Sequence, residues 1–354
     1  MISRLEIENF RGFRHLTMDG LKRITLISGR NNIGKSTILE ALFLFMDHTS
    51  QNSFIKLSSY RGTPKINEEN LWKPLFTDMD LDKNICITVG DDEKGHRADL
   101  VYSKDTEYVP FSPVGVSDNV ISNLRSATRN AYSLAFRFSS GDYEENGHFS
   151  TDGNNILADV RTNLDKNEKR PLIAARLVSA SVMRMQDTTV TDIGKLEILG
   201  KKEKLITILK KLDSSIEDVV TISLHGVPQL YIRSANQLLP IEYAGDGVVK
   251  LLNIVTAIML MQDGLVLFDE LETGFHYSMY EKLWKIIDEA SYESNCQVLA
   301  TTHSYELIAA AQDGLIRGED FVYFRLGKGK SGTEAFDYGF KDISGALQSN
   351  MEVR

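Results

Sequence analysis

Eight residues near the start, Gly29-Arg30-Asn31-Asn32-Ile33-Gly34-Lys35-Ser36, constrain this chain more than any other stretch. They follow a strand-like apolar run, Lys22 to Ser28, and precede an apolar stripe at helical spacing, Ile38, Leu39, Leu42 and Phe45. A strand must therefore pass through a glycine turn into a helix. The glycines reach backbone conformations closed to other residues, so successive N–H groups can turn inward onto an anion at the helix N-terminus. The spacing G-x-x-x-x-G-K-S in that context reads as a phosphate-cradling loop. Lys35 would reach the β- and γ-phosphates of a nucleotide, the Ser36 hydroxyl would hold Mg²⁺, and Thr37 would add a contact at the α-phosphate.

The complement lies about 235 residues further on, where the apolar run Leu265-Val266-Leu267-Phe268 ends in Asp269-Glu270. A strand with two acids at its end can supply both parts of a hydrolytic site. Asp269 would bind the magnesium shell, and Glu270, pointing elsewhere, would take a proton from the attacking water. The next core strand, Gln297 to Thr301, ends at Thr302-His303-Ser304. A histidine at the carboxyl edge of a parallel sheet lies where such folds bind ligands, and His303 would donate to a γ-phosphate oxygen or position the water. Ser304 equally suits a helix cap. These elements point to hydrolysis of ATP.

The 354 residues, 42% hydrophobic, suffice for two to three structural units. Short apolar strands alternating with helices at both ends imply a largely parallel sheet covered on both faces. The middle is different in character. Ile85–Val89 and Ala98–Tyr102 read as strands about a turn at 91–95, Tyr132, Leu134, Phe136 and Phe138 alternate, and Asn146-Gly147 signals a turn. Helix returns near 195–212, with an apolar stripe at Leu205, Ile208, Leu209 and Leu212. Beyond Pro240, helices are expected from Gly245 to about Gln262 and from His276 to about Ala290, then two short strands and a last helix at about 342–350.

A net charge of −9 excludes a basic nucleic-acid coat protein, so any DNA or RNA contact must be local. Lys195, Lys201, Lys202, Lys204, Lys210 and Lys211 form the best candidate patch, although lysine-rich helix faces are commonly just solvated. Cys86 and Cys296 are far apart without metal-ligand spacing and read as buried thiols of a reducing compartment. The longest apolar run, Leu251 to Met261, is too short to span a bilayer, and Met1 to Glu6 leads directly into a strand. A soluble, cytoplasmic protein without membrane partners is expected.

The order of phosphate loop, long insertion, Gly245-Asp246-Gly247 helix start, Asp269-Glu270 and His303 resembles the ABC-type ATPases of the SMC, RecF and OLD group, as does the opening Ile7-Glu8-Asn9-Phe10-Arg11-Gly12-Phe13. It is more similar still to stand-alone bacterial OLD-like ATPases of phage-defence systems. They share the Gly-Asp-Gly start, an Asp-Glu-x-Glu-x-Gly-x-His run (Asp269 to His276), the Thr-Thr-His-Ser switch and an ending like Glu352-Val353-Arg354. The likeness covers roughly 1–50 and 238–354.

The resemblance implies an α/β fold, an ABC-type P-loop ATPase head with a mixed or parallel central sheet. Its halves, 1–50 and 238–354, would be interrupted by a β-rich, then helical insertion at 51–237. It also implies ATP and Mg²⁺ as ligands and an ATP-dependent head-to-tail homodimer. There Gly245, Asp246 and Gly247 would close over the γ-phosphate held by the other subunit, although Ala244 replaces the usual serine and Asp246 a glycine. Arg11 would touch nucleotide phosphate, with an ion pair as the equal alternative. Glu272 and His276 would line the dimer interface, and Gln51 is a weak candidate for a Q-loop glutamine. The implied output is control of a separately encoded effector nuclease or toxin in antiviral defence. RecF-like nucleic-acid maintenance and an ATP-gated scaffold with little turnover are the rivals. OLD-type nucleases append a Toprim domain, and 51 residues after His303 leave no room for one, so no intrinsic nuclease is expected.

Overall fold

In a computed structural model, the residues described are 1–60, 71–91, 96–105, 133–151, 155–163, 173–179, 187–224, 226–234, 237–329 and 332–348. The core is a six-stranded sheet built from both ends of the chain. Its order is β16 (Thr333–Gly339), β15 (Phe321–Lys328), β3 (Ile24–Gly29), β14 (Gln297–Thr301), β13 (Leu265–Phe268) and β9 (Ala175–Val178). All neighbours pair in parallel except β16, which runs antiparallel along β15. Both faces are covered, which is why β3, β13 and β14 are buried at every position rather than at alternate ones. Leu265 and Leu267 enter one core, whereas Val266 and Phe268 enter the other.

One face packs against helix α1 (Lys35–Met46), which leaves the phosphate loop and is buried nearly all round. A seven-stranded antiparallel sheet covers α1 from outside. Its order is β2 (Phe13–Asp19), β1 (Arg4–Phe10), β4 (Ile85–Asp91), β5 (His96–Asp105), β6 (Ser133–Ser140), β7 (Tyr143–Thr151) and β8 (Ile156–Thr162). The opening strands therefore share a sheet with the middle of the chain, and β9 from that middle forms one edge of the core sheet. An α helix without a polar face needs two apolar surfaces around it, and the two sheets provide them. Helix α2 (Gln51–Tyr60) follows, and Phe54, Trp72 and Phe149 form an aromatic cluster, with Phe54 edge-on to Trp72 at 5.0 Å and to Phe149 at 4.7 Å.

The other face carries α3 (Asp187–Ile198), α4 (Lys202–Leu212), α5 (Asp246–Leu260), α6 (Tyr280–Glu293), α7 (Tyr305–Gly314) and α8 (Phe340–Gln348). A three-stranded antiparallel sheet, β10 (Ile216–Leu224), β11 (Val227–Ser234) and β12 (Gln237–Pro240), packs beside them. This sheet has no counterpart in the sequence reading, which left 213–240 without strands.

Two expectations need correction. The helix expected near 195–212 is two helices, because Gly200, at φ 66°, breaks the chain between α3 and α4. Asn146-Gly147 is not a turn but the middle of β7; the hairpin closes at Gly141-Asp142, with Gly141 at φ 59°. Gly147 is needed for space instead, since a Cβ there would lie 2.5 Å from the Phe136 ring and from the Asp159 carbonyl. The end of the last expected helix, 349–350, and Glu352-Val353-Arg354 lie outside the described residues, as do Tyr132 and most of the turn at 91–95. Among the described residues no helix is long and apolar enough to cross a membrane.

Candidate functional site

Because β3, β14 and β13 are parallel, their carboxyl ends share one edge. That edge gathers the phosphate loop after β3, Asp269-Glu270 after β13 and the Thr302-His303-Ser304 turn after β14. Gly29 at φ 146°, Asn32 at φ 60° and Gly34 at φ 108° give the loop its curl. Gly34 is fixed by space as well, since a Cβ would meet the Phe13 ring at 2.3 Å. Arg30, Asn31 and Asn32 at the loop's crest are exposed, as an anion cradle requires. Thr37 is buried in the first turn of α1.

Lys35 is buried, and its Nζ donates to the carbonyl oxygens of Gly29 at 2.8 Å and Arg30 at 3.0 Å. Burial pushes its ammonium pKa down, opposed by Asp269, Glu270 and Glu272. Ser36, 233 positions from Asp269 in sequence, donates its hydroxyl to both carboxylate oxygens at 2.9 and 3.1 Å. Thr301 Oγ1 donates to Asp269 Oδ1 at 2.7 Å and accepts the Glu270 N–H at 2.9 Å. A hydroxyl and a carboxylate converging beside a phosphate loop are the oxygen donors a hard cation selects, so Ser36 and Asp269 fit Mg²⁺.

Glu270 has φ 48°, the left-handed region, unusual for a side chain of this size. Several bonds hold it there. The Leu271 N–H reaches the Thr301 carbonyl at 3.0 Å, and Thr273 Oγ1 donates to Glu270 Oε2 at 3.3 Å. Lys250 Nζ donates to the Glu270 carbonyl at 2.7 Å. Lys250 is buried in α5, and burial lowers its pKa to about 8 against the opposing pull of Glu272, Glu270 and Asp269. Sequence reasoning missed this residue. The signal was a lone lysine inside an otherwise apolar helix, where a buried amine demands a partner.

The remaining candidates fall into separate places. His303 is exposed, and its N–H donates to Glu272 Oε1 at 2.6 Å, while Ser304 caps α7 through the Leu307 N–H at 3.1 Å. The cap expected of Ser304 is therefore present, and His303 lies beside it at the carboxyl edge of the sheet. Glu272 is thus half-buried and bonded within its own chain. His276 is exposed and bonded to Ser278 Oγ at 2.8 Å, so Glu272 and His276 do not converge as metal ligands. Gly245 is the N-cap of α5, and Gly245 and Asp246 are exposed. Gly247 packs on the acidic run of the same chain, where a Cβ would come within 3.3 Å of the Gly274 carbonyl. Arg11 pairs through its Nε with Glu40 of α1 at 3.0 Å, with both side chains largely buried, so the ion-pair alternative is the one present. Gln51 is exposed at the start of α2.

The lysine patch is largely neutralised within the chain. Lys195 pairs with Asp192, Lys202 with Glu197 and Asp218, Lys204 with Glu293 and Lys211 with Glu289. Such pairing leaves little free charge for a phosphate backbone. Cys296 is buried, its thiol pushed up to about 12, and Cys86 is half-buried.

This architecture defines the class: an α/β P-loop fold of the SMC-head type, with a mixed sheet and antiparallel insertion sheets. A solved SMC head bound to the C-terminal winged-helix domain of ScpA superposes with a TM-score of 0.52 at 13% identity, covering 96% of this chain and 98% of that one. At that identity the likeness shows the fold alone. The model of the family described as AAA domain, putative AbiEii toxin, Type IV TA system matches residues 24–309, and the chain belongs to that family. Across 343 residues, 91% of this chain and 90% of the relative, it is 25% identical to an ATP/GTP phosphatase of Helicobacter pylori. A shorter match, 29% identity over 110 residues, links 30% of the chain to 9% of the chromosome partition protein Smc of Methanocaldococcus jannaschii.

Proposed function

We propose that this chain hydrolyses ATP to ADP and phosphate at the edge shared by β3, β13 and β14. The observation that carries the reading is the Ser36–Asp269 contact at 2.9 Å, which joins a phosphate loop to a strand-end acid from opposite ends of the chain. The full-length similarity to a nucleotide phosphatase supports hydrolysis rather than storage. The amides of Gly29 to Ser36 bind the phosphates, and Lys35 leaves its two loop carbonyls to meet the β- and γ-oxygens. Ser36 and Asp269 hold Mg²⁺, which when bound neutralises charge developing on the β- and γ-phosphates. Glu270 accepts the proton of the attacking water, and the bonds at its backbone amide and carbonyl fix where its carboxylate starts. His303, exposed at the same edge, orients the water or a γ-phosphate oxygen.

Exposed Gly245 and Asp246 at the N-terminus of α5 suit closure over the nucleotide of a second copy, giving an ATP-dependent head-to-tail homodimer. The output that the resemblance implies is control of a separately encoded effector in antiviral defence, in the cytoplasm. The family's description as a putative toxin of a type IV TA system supports only membership of a two-component system. The internal pairing of the lysines disfavours RecF-like nucleic-acid maintenance. Glu270→Gln tests the reading. Turnover should fall by about 10²-fold or more, as expected when a general base is lost, while the variant with ATP and Mg²⁺ should run as a larger species in size exclusion. A variant that turns over normally and stays the size of the nucleotide-free protein would contradict it.

A further inference from the structure

We propose that Glu272 is a positioning residue that sets the place of His303, an inference that rests on the hydrolytic reading above. Glu272 lies three residues past Asp269, where the chain has left β13 and follows the end of β14. Two contacts already tie this run to β14, the Glu270 N–H to the Thr301 hydroxyl oxygen Oγ1 at 2.9 Å and the Leu271 N–H to the Thr301 carbonyl at 3.0 Å. Both end at Thr301. Past that point β14 has finished, and the Glu272 carboxylate takes over as acceptor for the His303 N–H, at 2.6 Å. A charge-assisted bond of that length is stronger than the backbone pairing it continues.

The second oxygen, Oε2, is shielded from solvent and has no hydrogen-bond partner among the described residues. An ionised carboxylate in such a place needs nearby positive charge. Lys250 and Lys35 supply it, since each amine feels the Glu272 charge. Glu272 is thus within electrostatic reach of the phosphate-loop lysine and the lysine of α5, and its other oxygen accepts from the switch turn. Loss of its acceptor would free the His303 backbone while leaving the phosphate loop and Asp269 intact. The bond acts on the amide, so a neutral amide oxygen at this position still offers an acceptor, weaker than the carboxylate but enough to hold the turn.

Hydrogen exchange at the His303 amide and steady-state ATP hydrolysis, on Glu272→Ala, Glu272→Gln, His303→Ala and the Glu272→Ala/His303→Ala pair, test this. Glu272→Ala should speed His303 amide exchange about tenfold or more, as expected for a lost local protection. It should also lower kcat about tenfold with KM for ATP little changed. Glu272→Gln should restore both to within about threefold, and the double variant should be no slower than the worse single one, as coupled residues require. Unchanged exchange in Glu272→Ala would overturn the proposal whether or not the protein hydrolyses ATP. So would multiplicative losses in the double variant, or a Glu272→Gln as impaired as Glu272→Ala. Absent turnover in the wild-type protein would instead count against the hydrolytic reading, with the exchange arm still deciding this one.

Discussion

The two sides of the nucleotide edge differ in how completely they are satisfied by their own chain. On the inner side, Lys35, Ser36, Asp269, Thr301 and Lys250 are tied by bonds of 2.7–3.1 Å, and both lysines are buried. On the outer side, Gly245, Asp246, His276 and His303 are exposed, and Tyr243 and Tyr277 beside them are 76% and 66% exposed. The inner side is held in place by its own chain, so a bound nucleotide exchanges the two loop-carbonyl bonds of Lys35 for phosphate contacts within a fixed frame. The outer side offers amides, an imidazole and aromatic surface without an internal partner surface, the character of a face completed from outside. In the proposed reading the first side binds the nucleotide, and the second, His303 apart, meets the other copy.

The comparison can be broken most severely at Arg11. If its pairing with Glu40 belongs to the buried framework, Arg11→Ala strands a carboxylate in α1 and should cost about 3–5 kcal/mol of stability, with ATP affinity within about twofold of wild type. Chemical denaturation and nucleotide titration separate the two effects. A stable variant with weakened ATP binding would move Arg11 back to the nucleotide, as the resemblance implied.

Lys250 sharpens the comparison through pH. Its pKa falls from 10.5 to about 8 on folding, so between those values the unfolded chain holds the proton and the folded chain releases it. Stability contributed by this group therefore rises with pH across that window. Relative to Lys250→Met, the wild-type protein should gain on the order of 3 kcal/mol at most between pH 7 and 10.5. Denaturant midpoints of both proteins across that range provide the check. A difference independent of pH would mean that the amine is not buried as described.

Lys35, Ser36 and Asp269 of the inner side were legible because their chemistry is written in contiguous residues. Gly29 to Ser36 and Asp269-Glu270 are strings of neighbours, and continuous apolar strands announced a sheet covered on both faces. The rest depends on contacts across the fold. Lys250 becomes part of the site only because α5 runs past Glu270, and Glu272 meets His303 only because β13 and β14 are adjacent. In the middle, Gly147 carried a turn signal that the structure uses as space for Phe136. A glycine's two uses look identical in sequence. Similarly, Arg11 matched a motif, but its partner Glu40 lies on a helix whose packing no local pattern reveals.

The central claim is that the early glycine loop and the late acids act on one triphosphate. Phosphate release from ATP with Mg²⁺, compared between the wild-type protein and Lys35→Ala, tests it most directly. The account predicts turnover in the wild type and a loss of about 10²–10³-fold in the variant, as for removal of one preorganised charge contact. Equal turnover and equal ATP affinity in the two proteins would contradict it.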